Sequence, residues 1–201
     1  FSGGAVTGSA SVYYSRYRDF IESKVNIGRD PATGVTLFQS QNIGKAEIYG
    51  AEASFEFDLG ALTGALQGLS GSFSAAWTRG EDVVRHLPIN TIDPARGTVG
   101  LRYAAPSSRW MAQLTLTAVD GVHRVDESRS LLYQPSGFAT VDLTGQWRIS
   151  DRWRLNTGIF NLADRSYYEW ADVRGRIPDD PLLELFQQPG RNLSVTLTAT
   201  F

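Results

Sequence analysis

The sequence predicts an all-β chain, an antiparallel transmembrane β-barrel wall that supplies about the last eight strands of a larger barrel. Three observations predict it. The final ten residues alternate without a slip, with Leu193, Val195, Leu197, Ala199 and Phe201 on one side and Ser194, Thr196, Thr198 and Thr200 on the other. The same period of two returns along most of the chain, and no segment offers a globular core to receive the apolar face. The connections between these segments alternate between short and long, as they do at the two rims of a membrane barrel.

The elements follow in order. The first strand, Gly8 to Phe20, is the least regular, because Val12 and Tyr14 share a face with Arg16 and Arg18. A second, from about Leu37 to Asp58, sets Tyr49, Ala51, Ala53, Phe55 and Phe57 against Glu52, Ser54, Glu56 and Asp58, whose carboxylates face water. A third, Leu69 to Thr78, opposes Phe73, Ala75 and Trp77 to Ser70, Ser72 and Ser74. A fourth, Thr98 to Ala104, opposes Val99, Leu101 and Tyr103 to Thr98, Gly100 and Arg102. In the fifth, Trp110, Ala112, Leu114, Leu116 and Ala118 alternate with Gln113, Thr115 and Thr117. The sixth and seventh carry Val141, Leu143, Trp147 and Ile149, then Trp153, Leu155, Thr157 and Ile159. The terminal strand is the eighth.

The turns at Ala105 to Arg109 and Ser150 to Arg152 are tight, and Gly60 to Gly68 is intermediate. Four connections are long: Ile21 to Thr36, Arg79 to Pro94, Gly121 to Ser136 and Leu162 to Pro189. Trp77, Tyr103, Trp110, Trp147 and Trp153 stand at strand ends, where a membrane barrel places its interfacial aromatic girdle. The competing architecture is a soluble β-sandwich, but sandwiches distribute long loops to both ends. The weak amphipathy of the first strand places the start of the chain inside a larger sheet, which leaves two open edges that a bilayer does not tolerate.

Composition supports this by exclusion. The 201 residues include Gly 20, Trp 5, Tyr 8 and Phe 10, a balance that leans towards β-structure. A mean hydropathy of -0.21 is uninformative, because every second residue of a barrel strand faces a wet interior. No apolar run approaches the ~18 residues that a membrane-spanning helix requires. A formal net charge of -2 offers no basic face to nucleic acid. The absence of Cys removes disulfides, zinc-thiolate sites and thiol catalysis together. Phe1-Ser2-Gly3 opens without a basic region or an apolar leader, so the chain reads as a mature or truncated piece.

Three stretches carry a family resemblance. Asn42-Ile43-Gly44-Lys45-Ala46-Glu47-Ile48-Tyr49-Gly50-Ala51-Glu52 resembles the N-x-G-x-A-x-x-x-G-x-E strand of TonB-dependent outer-membrane receptors. Ile159 to Tyr168 resembles their N-L-x-D-x-x-Y segment, and Gln188-Pro189-Gly190-Arg191-Asn192 resembles their P-G-R ending. Tyr168 to Gly175 ahead of that ending is most similar to the haem, haemoglobin and transferrin receptor group. The resemblance implies a barrel of about twenty-two strands around an amino-terminal plug, importing a scarce ligand with energy relayed by TonB. Residues 1–201 are then the carboxy-terminal portion of that barrel, with no second domain and no plug. It implies no intrinsic cofactor, with haem or an iron chelate as cargo. Its implied partners are outer-membrane lipid, the TonB system through the missing plug, the outer-membrane assembly machinery and a haemoprotein.

The candidate site residues divide by chemistry. Asn161 and Asp164 suit Asx-type turns that redirect the chain, and Pro189-Gly190 punctuates its return to the sheet. Arg191 is placed to satisfy Glu169 or Asp172 at the rim. Phe201 resembles the terminal residue that the assembly machinery reads, through strand addition with side chains in alternating pockets. Tyr167, Tyr168 and Trp170 form an aromatic cluster suited to a porphyrin or a protein partner, or equally to an upper girdle and a folded loop core. His86 and His123 are the available imidazoles; solvated rim side chains are the ordinary reading, and the resemblance places axial haem ligands upstream of Phe1. No metal site is assigned, and Glu81-Asp82 and Asp179-Asp180 read as solvated loop charge. Arg102, Arg148 and Arg154 opposite Asp142, Glu52 and Glu56 are expected to pair across a wet lumen.

The function expected is energised uptake of haem or haemoprotein iron, with a ferric-siderophore receptor as the alternative within the same fold. An outer-membrane barrel enzyme is the alternative from another class; it would need His123 beside Ser128 or Ser130.

Overall fold

The alternation becomes geometry in the register of the long strands. The computed structural model describes residues 2–200, so Phe201 lies outside the described residues. The strands are β1 Ser2–Gly3, β2 Val6–Arg18, β3 Ile21–Arg29, β4 Thr36–Asn42, β5 Lys45–Asp58, β6 Leu69–Asp82, β7 Leu87–Pro88, β8 Arg96–Ala104, β9 Trp110–Val119, β10 Phe138–Arg148, β11 Trp153–Phe160 and β12 Asn192–Ala199. Among the described residues, β2, β5, β6, β8, β9, β10, β11 and β12 follow one another as neighbours in a single antiparallel sheet, with β1 on the outer edge of β2 and β7 pairing β6. These are the eight expected barrel strands, and the sheet order ends openly at β1 and at β12.

Directly paired residues share a face, so rungs can be followed across the wall. One rung runs Val6, Phe57, Gly71, Leu101, Leu114, Leu143, Ile159, Leu193, wholly apolar from edge to edge. A rung of opposite parity runs Ser9, Ser54, Ser74, Thr98, Thr117, Thr140, wholly hydroxylic. The apolar face is not covered by a second layer: Leu193, Val195 and Leu197 are 68%, 60% and 56% exposed. That removes the sandwich, which must bury one face of each sheet. Most of the buried hydrophobic side chains, among them Ile89, Val122, Leu132, Trp170 and Val173, lie beyond the strands at the long-loop rim.

The opposite rim is closed by economical turns. Asp58 caps the short helix α1 (Leu59–Leu62) by accepting from the Ala61 N–H at 3.1 Å. Ala105 donates to the Trp110 carbonyl at 3.0 Å, and Ile149 donates to the Trp153 carbonyl at 3.0 Å. Tyr103 and Trp110 meet there with ring centroids 5.2 Å apart, two of the expected girdle aromatics in contact.

The second strand departs from expectation. Leu37 to Asn42 do not belong to the wall; β4 pairs β3 in a separate two-stranded sheet, and the wall resumes at Lys45. The chain pivots at a neck where Asp19 (φ 55°) donates to the carbonyl of Gly44 (φ 70°), and Asn42 accepts from the Gly44 N–H at 2.8 Å. Irregularities between Glu22 and Val25 and between Asn26 and Gly28 break the period of two in β3, with Lys24 and Gly28 at positive φ. The expected long loop is therefore a projecting hairpin. The other long-loop ends also contain more strand than expected: β6 extends to Asp82, β8 begins at Arg96 and β10 at Phe138.

Candidate functional site

At the long-loop rim the four connections fold against one another. Trp170 and Val173, in helix α2 (Trp170–Val173), are 3% and 0% exposed and pack on Val122, with Val125, Tyr133, Tyr168, Leu183 and Phe186 around them. Residues from two connections thus make one small apolar core, of the kind a loop needs to hold a fixed shape.

Asn90 joins the other two connections to it. Its N–H donates to Glu22 Oε1 at 2.7 Å, its side chain exchanges hydrogen bonds with the Asp126 backbone at 2.7 and 3.2 Å, and its carbonyl accepts from Trp170 Nε1 at 2.9 Å. One residue therefore touches the β3–β4 hairpin and both remaining long connections. Burial raises the Glu22 carboxyl above its ordinary range, with Asp126 adding to the effect and the Asn90 N–H, Arg174 and Arg85 opposing it. A carboxylate with a raised pKa weakens the assembly as pH rises through that value, and the penalty disappears below the ordinary carboxylate pKa. Glu22→Gln keeps the acceptor for Asn90 and removes the charge. It is expected to slow surface proteolysis of the hairpin several-fold at neutral pH and to flatten its pH dependence; limited proteolysis from pH 5 to 8 measures both.

The hairpin is held to the last connection by polar clamps. Asn26 Nδ2 donates to the Gly175 carbonyl at 2.7 Å, the Thr36 hydroxyl to Asp180 at 2.9 Å, and Arg29 pairs with Asp179 at 2.8 Å. Arg176 pairs with Asp180 at 2.9 Å while its guanidinium lies 3.9 Å from the Phe186 ring centroid. Burial alone would raise Asp180, but the Leu182 N–H, Thr36 and Arg176 together hold it below the usual carboxylate range. Asp82 and Asp180 are 3% and 7% exposed, so each expected acidic pair contains one buried structural acid. The chain needs Asp82 to accept from the Val84 and Arg85 N–H groups at 2.9 and 3.1 Å.

The expected site residues fall into separate places. Trp170 is interior to the loop core and presents no surface to a porphyrin, which corrects the contact reading for that residue. Tyr168 meets Tyr133 edge-on at 5.5 Å beside the same core. Tyr167 stacks on Phe138 at 4.0 Å, on the hydroxylic side of β10, and burial with nearby Glu169 and Asp142 raises its phenol. The last connection therefore leans over the luminal side of the wall. There Arg96 Nη2 reaches both oxygens of Glu169 at 2.7 and 2.6 Å. Sequence reasoning misses this pair because the partners lie on different elements with no shared spacing.

Arg191 does not meet Glu169 or Asp172, since Glu169 is taken by Arg96 and Asp172 accepts from Gln188 Nε2 at 2.8 Å. Its backbone N–H instead donates to Asp164 Oδ1 at 2.7 Å. Asn161, at φ 52° and 3% exposed, donates to the Arg165 and Pro189 carbonyls at 2.8 and 3.2 Å and accepts from the Arg165 N–H at 2.9 Å. Asp142 Oδ1 holds the Asn161 N–H at 2.7 Å. A Cβ on Gly190 would stand 2.6 Å from Asp164 Oδ1, so only glycine admits this clasp without displacement. Asn161→Ala is expected to cost about 2–4 kcal/mol, from two donors and an acceptor lost at a buried site plus a strained φ. Earlier heat denaturation of the folded barrel on gels checks it.

The two histidines are rim side chains engaged with acids. His86 Nδ1 lies 3.6 Å from Glu81 and His123 Nε2 lies 3.6 Å from Asp120, with both imidazoles nearly four-fifths exposed. Ser128 Oγ accepts from Arg85 at 3.1 Å and Ser130 Oγ is buried without a hydrogen-bond partner, so among the described residues no hydrogen bond joins His123 to either serine. Among the described residues there is no group of three metal-ligating side chains, and Arg102, Arg148 and Arg154 make no ion pair. The expected luminal pairs are absent because the register sets Arg102 beside Gln113 and Ser70, and Arg148 beside Arg154.

The TonB dependent receptor-like β-barrel family model matches residues 1–162, most of the wall and its loops. The chain belongs to the TonB-dependent receptor family. It is an outer-membrane barrel segment. It is similar to hemoglobin-haptoglobin-binding protein A of Haemophilus influenzae, 25% identical over 96% of this chain and 21% of that protein. Hemoglobin-haptoglobin utilization protein B of Neisseria meningitidis is 26% identical over all of this chain and 29% of its own length. Transferrin-binding protein A of Neisseria meningitidis is 25% identical over 96% of this chain and 24% of that protein. The chain spans about a fifth to a third of these receptors. Among solved structures, the copper transporter OprC superposes with a TM-score of 0.80 at 22% identity, over all of this chain and 30% of that one. A ferric enterobactin receptor from Pseudomonas aeruginosa superposes at 0.70 with 20% identity, over all of this chain and 30% of that one.

Proposed function

We propose that this chain is the carboxy-terminal wall and part of the outer mouth of a TonB-energised receptor that takes up haem, or iron carried by a haemoprotein. A plug and the TonB-contacting segment belong upstream of Phe1 in this reading. The observation that carries it is the welded loop assembly, in which two connections share one apolar core and the polar hub at Asn90 ties the other two to it. A broad pre-formed surface loses little conformational entropy on binding, which suits capture of a folded protein. That surface carries Val84, Leu131 and Leu185 at 65%, 66% and 76% exposure, apolar side chains available to a protein partner. The sequence relatives named for haemoglobin, haptoglobin and transferrin support the same cargo class. The solved structures named for copper and enterobactin support only the wall, because one fold serves several cargoes.

Growth of a gene-deletion strain, complemented with the intact receptor, tests this. Complementation is expected to restore growth on haemoglobin as sole iron source and to leave growth on ferric siderophores unchanged. The double variant Leu131→Asp, Leu185→Asp is expected to reduce haemoglobin binding at least ten-fold with normal surface expression. Rescue confined to a ferric siderophore would replace this reading with the siderophore one.

A further inference from the structure

The apolar face of β2, β5 and β6 ends at the long-loop rim in an unusual order of side chains. The rung Ala10, Ala53, Ala75, Gly97, Ala118, Ala139 crosses six strands with nothing larger than a methyl group. Above it on the same face come Val12, Ala51 and Trp77, then Tyr14, Tyr49 and Arg79, then Arg16, Glu47 and Glu81, then Arg18 and Lys45. Tyr14, Tyr49 and Trp77 touch in series, with centroids 6.5 and 5.9 Å apart, and form the upper aromatic girdle. Four cations therefore stand at and just above the membrane interface on the outward face. They include the same Arg16 and Arg18 that spoil the amphipathy of the first strand.

The charge is not balanced locally. Arg16 pairs with Glu47 at 3.0 Å and also donates to the Tyr14 hydroxyl at 2.6 Å. Glu81 is occupied by Arg124 at 2.8 Å, with His86 at 3.6 Å. Among the described residues, Arg18, Lys45 and Arg79 are exposed and make no ion pair. Arg18 and Lys45 are direct cross-strand partners, a juxtaposition of like charges that costs energy unless an anion answers it. Further round the wall, the positions next above the small rung hold Ala95, Asp120 and Gly137, so the cations are confined to these three strands.

We propose that this face binds the phosphorylated glycolipid of the outer leaflet. Arg16, Arg18, Lys45 and Arg79 hold its phosphates, and its acyl chains lie in the shallow groove beneath. The groove, bounded by Val12 and Trp77 and floored by Ala53, Ala75 and Gly97, is an open depression of about 600 Å³. Charge and position choose this occupant. Arginine forks and a lysine suit phosphate oxygens, and the girdle places them at headgroup depth. Four cations spread over three strands match a headgroup bearing more than one phosphate better than a single phosphodiester.

The inference rests on outer-membrane placement and not on the cargo. Its test uses the intact receptor purified in mild detergent, with bound lipid read by native mass spectrometry. Bisphosphorylated lipid A is expected to be retained at least five-fold more than the same lipid stripped of phosphate, and phosphatidylglycerol and inorganic phosphate are expected not to displace it. The variant Arg16→Gln, Arg18→Gln, Lys45→Gln, Arg79→Gln is expected to lose that preference while keeping the heat-modifiable migration of a folded barrel and its haemoglobin binding. Should the four-fold variant fail to assemble, Arg79→Gln alone and the phosphate-stripped lipid on the unmodified protein decide. Equal retention of both lipids by the unmodified receptor, displacement by phosphatidylglycerol or by phosphate, or an unchanged preference in the folded variant would overturn it.

Discussion

Trp170→Ala is expected to loosen the whole outer mouth while leaving the wall intact. The side chain is 3% exposed at the centre of the loop core, and removing a buried tryptophan costs about 3–5 kcal/mol. Its Nε1 also satisfies the Asn90 carbonyl at 2.9 Å, so the variant leaves that acceptor without its donor and adds about 1 kcal/mol. Because Asn90 also engages Glu22 and Asp126, the loss spreads to the hairpin and the third connection. Protease added to whole cells is expected to cleave several loops at least ten times faster. Heat-modifiable migration on gels is expected to persist, since the strands keep their ladders. Trp170→Phe, which retains most of the volume, should lie between. Protection of the loops in Trp170→Ala would refute the core assignment.

Gly175→Val is expected to release the β3–β4 hairpin from the last connection. Gly175 has φ 80°, a region that costs an L side chain about 1–2 kcal/mol. A Cβ there would also lie 2.9 Å from the Lys24 carbonyl oxygen and 2.9 Å from the Phe38 ring. Backbone cannot yield as a flexible side chain can, so the two faces must separate, and with them the Asn26 bond to the Gly175 carbonyl. Cleavage at the hairpin tip near Asp30 is expected to rise by an order of magnitude. Gly34→Ala is the internal comparison. That glycine has φ 70° but nothing within 4 Å of an added methyl, so only the conformational cost applies and the hairpin should stay docked. Similar proteolysis of the two variants would show that the close approach at Gly175 is unimportant.

The wall is legible in the sequence because its physics is local. A strand between lipid and water must alternate, and β12, β9 and β5 state their faces residue by residue. The projecting hairpin is hidden because the irregularities after Glu22 and Asn26 break the period that would announce it. Leu37 reads as part of the neighbouring strand for the same reason: Asn42 and Gly44 form a neck, not a gap in apolar pattern. Long-range pairing is illegible too. Arg96 with Glu169 and Asp180 with Thr36 join residues whose separation in sequence carries no signal. The motif residues Asn161 and Asp164 announce turns through their side-chain chemistry, but their reach to Pro189 and Arg191 depends on two strand ends lying side by side.

That reach separates the base of the last excursion from its head. Asn161, Asp164 and the Gln188 N–H, which donates to the Tyr167 carbonyl at 2.9 Å, bolt the two stems together before the chain wanders outward. The ladder between β11 and β12 is thereby insulated from whatever sequence occupies the middle. A foreign cassette spliced between the stems would inherit a fixed pedestal and leave the staves unaltered, although it would have to replace what Trp170 and Val173 supply to the loop core.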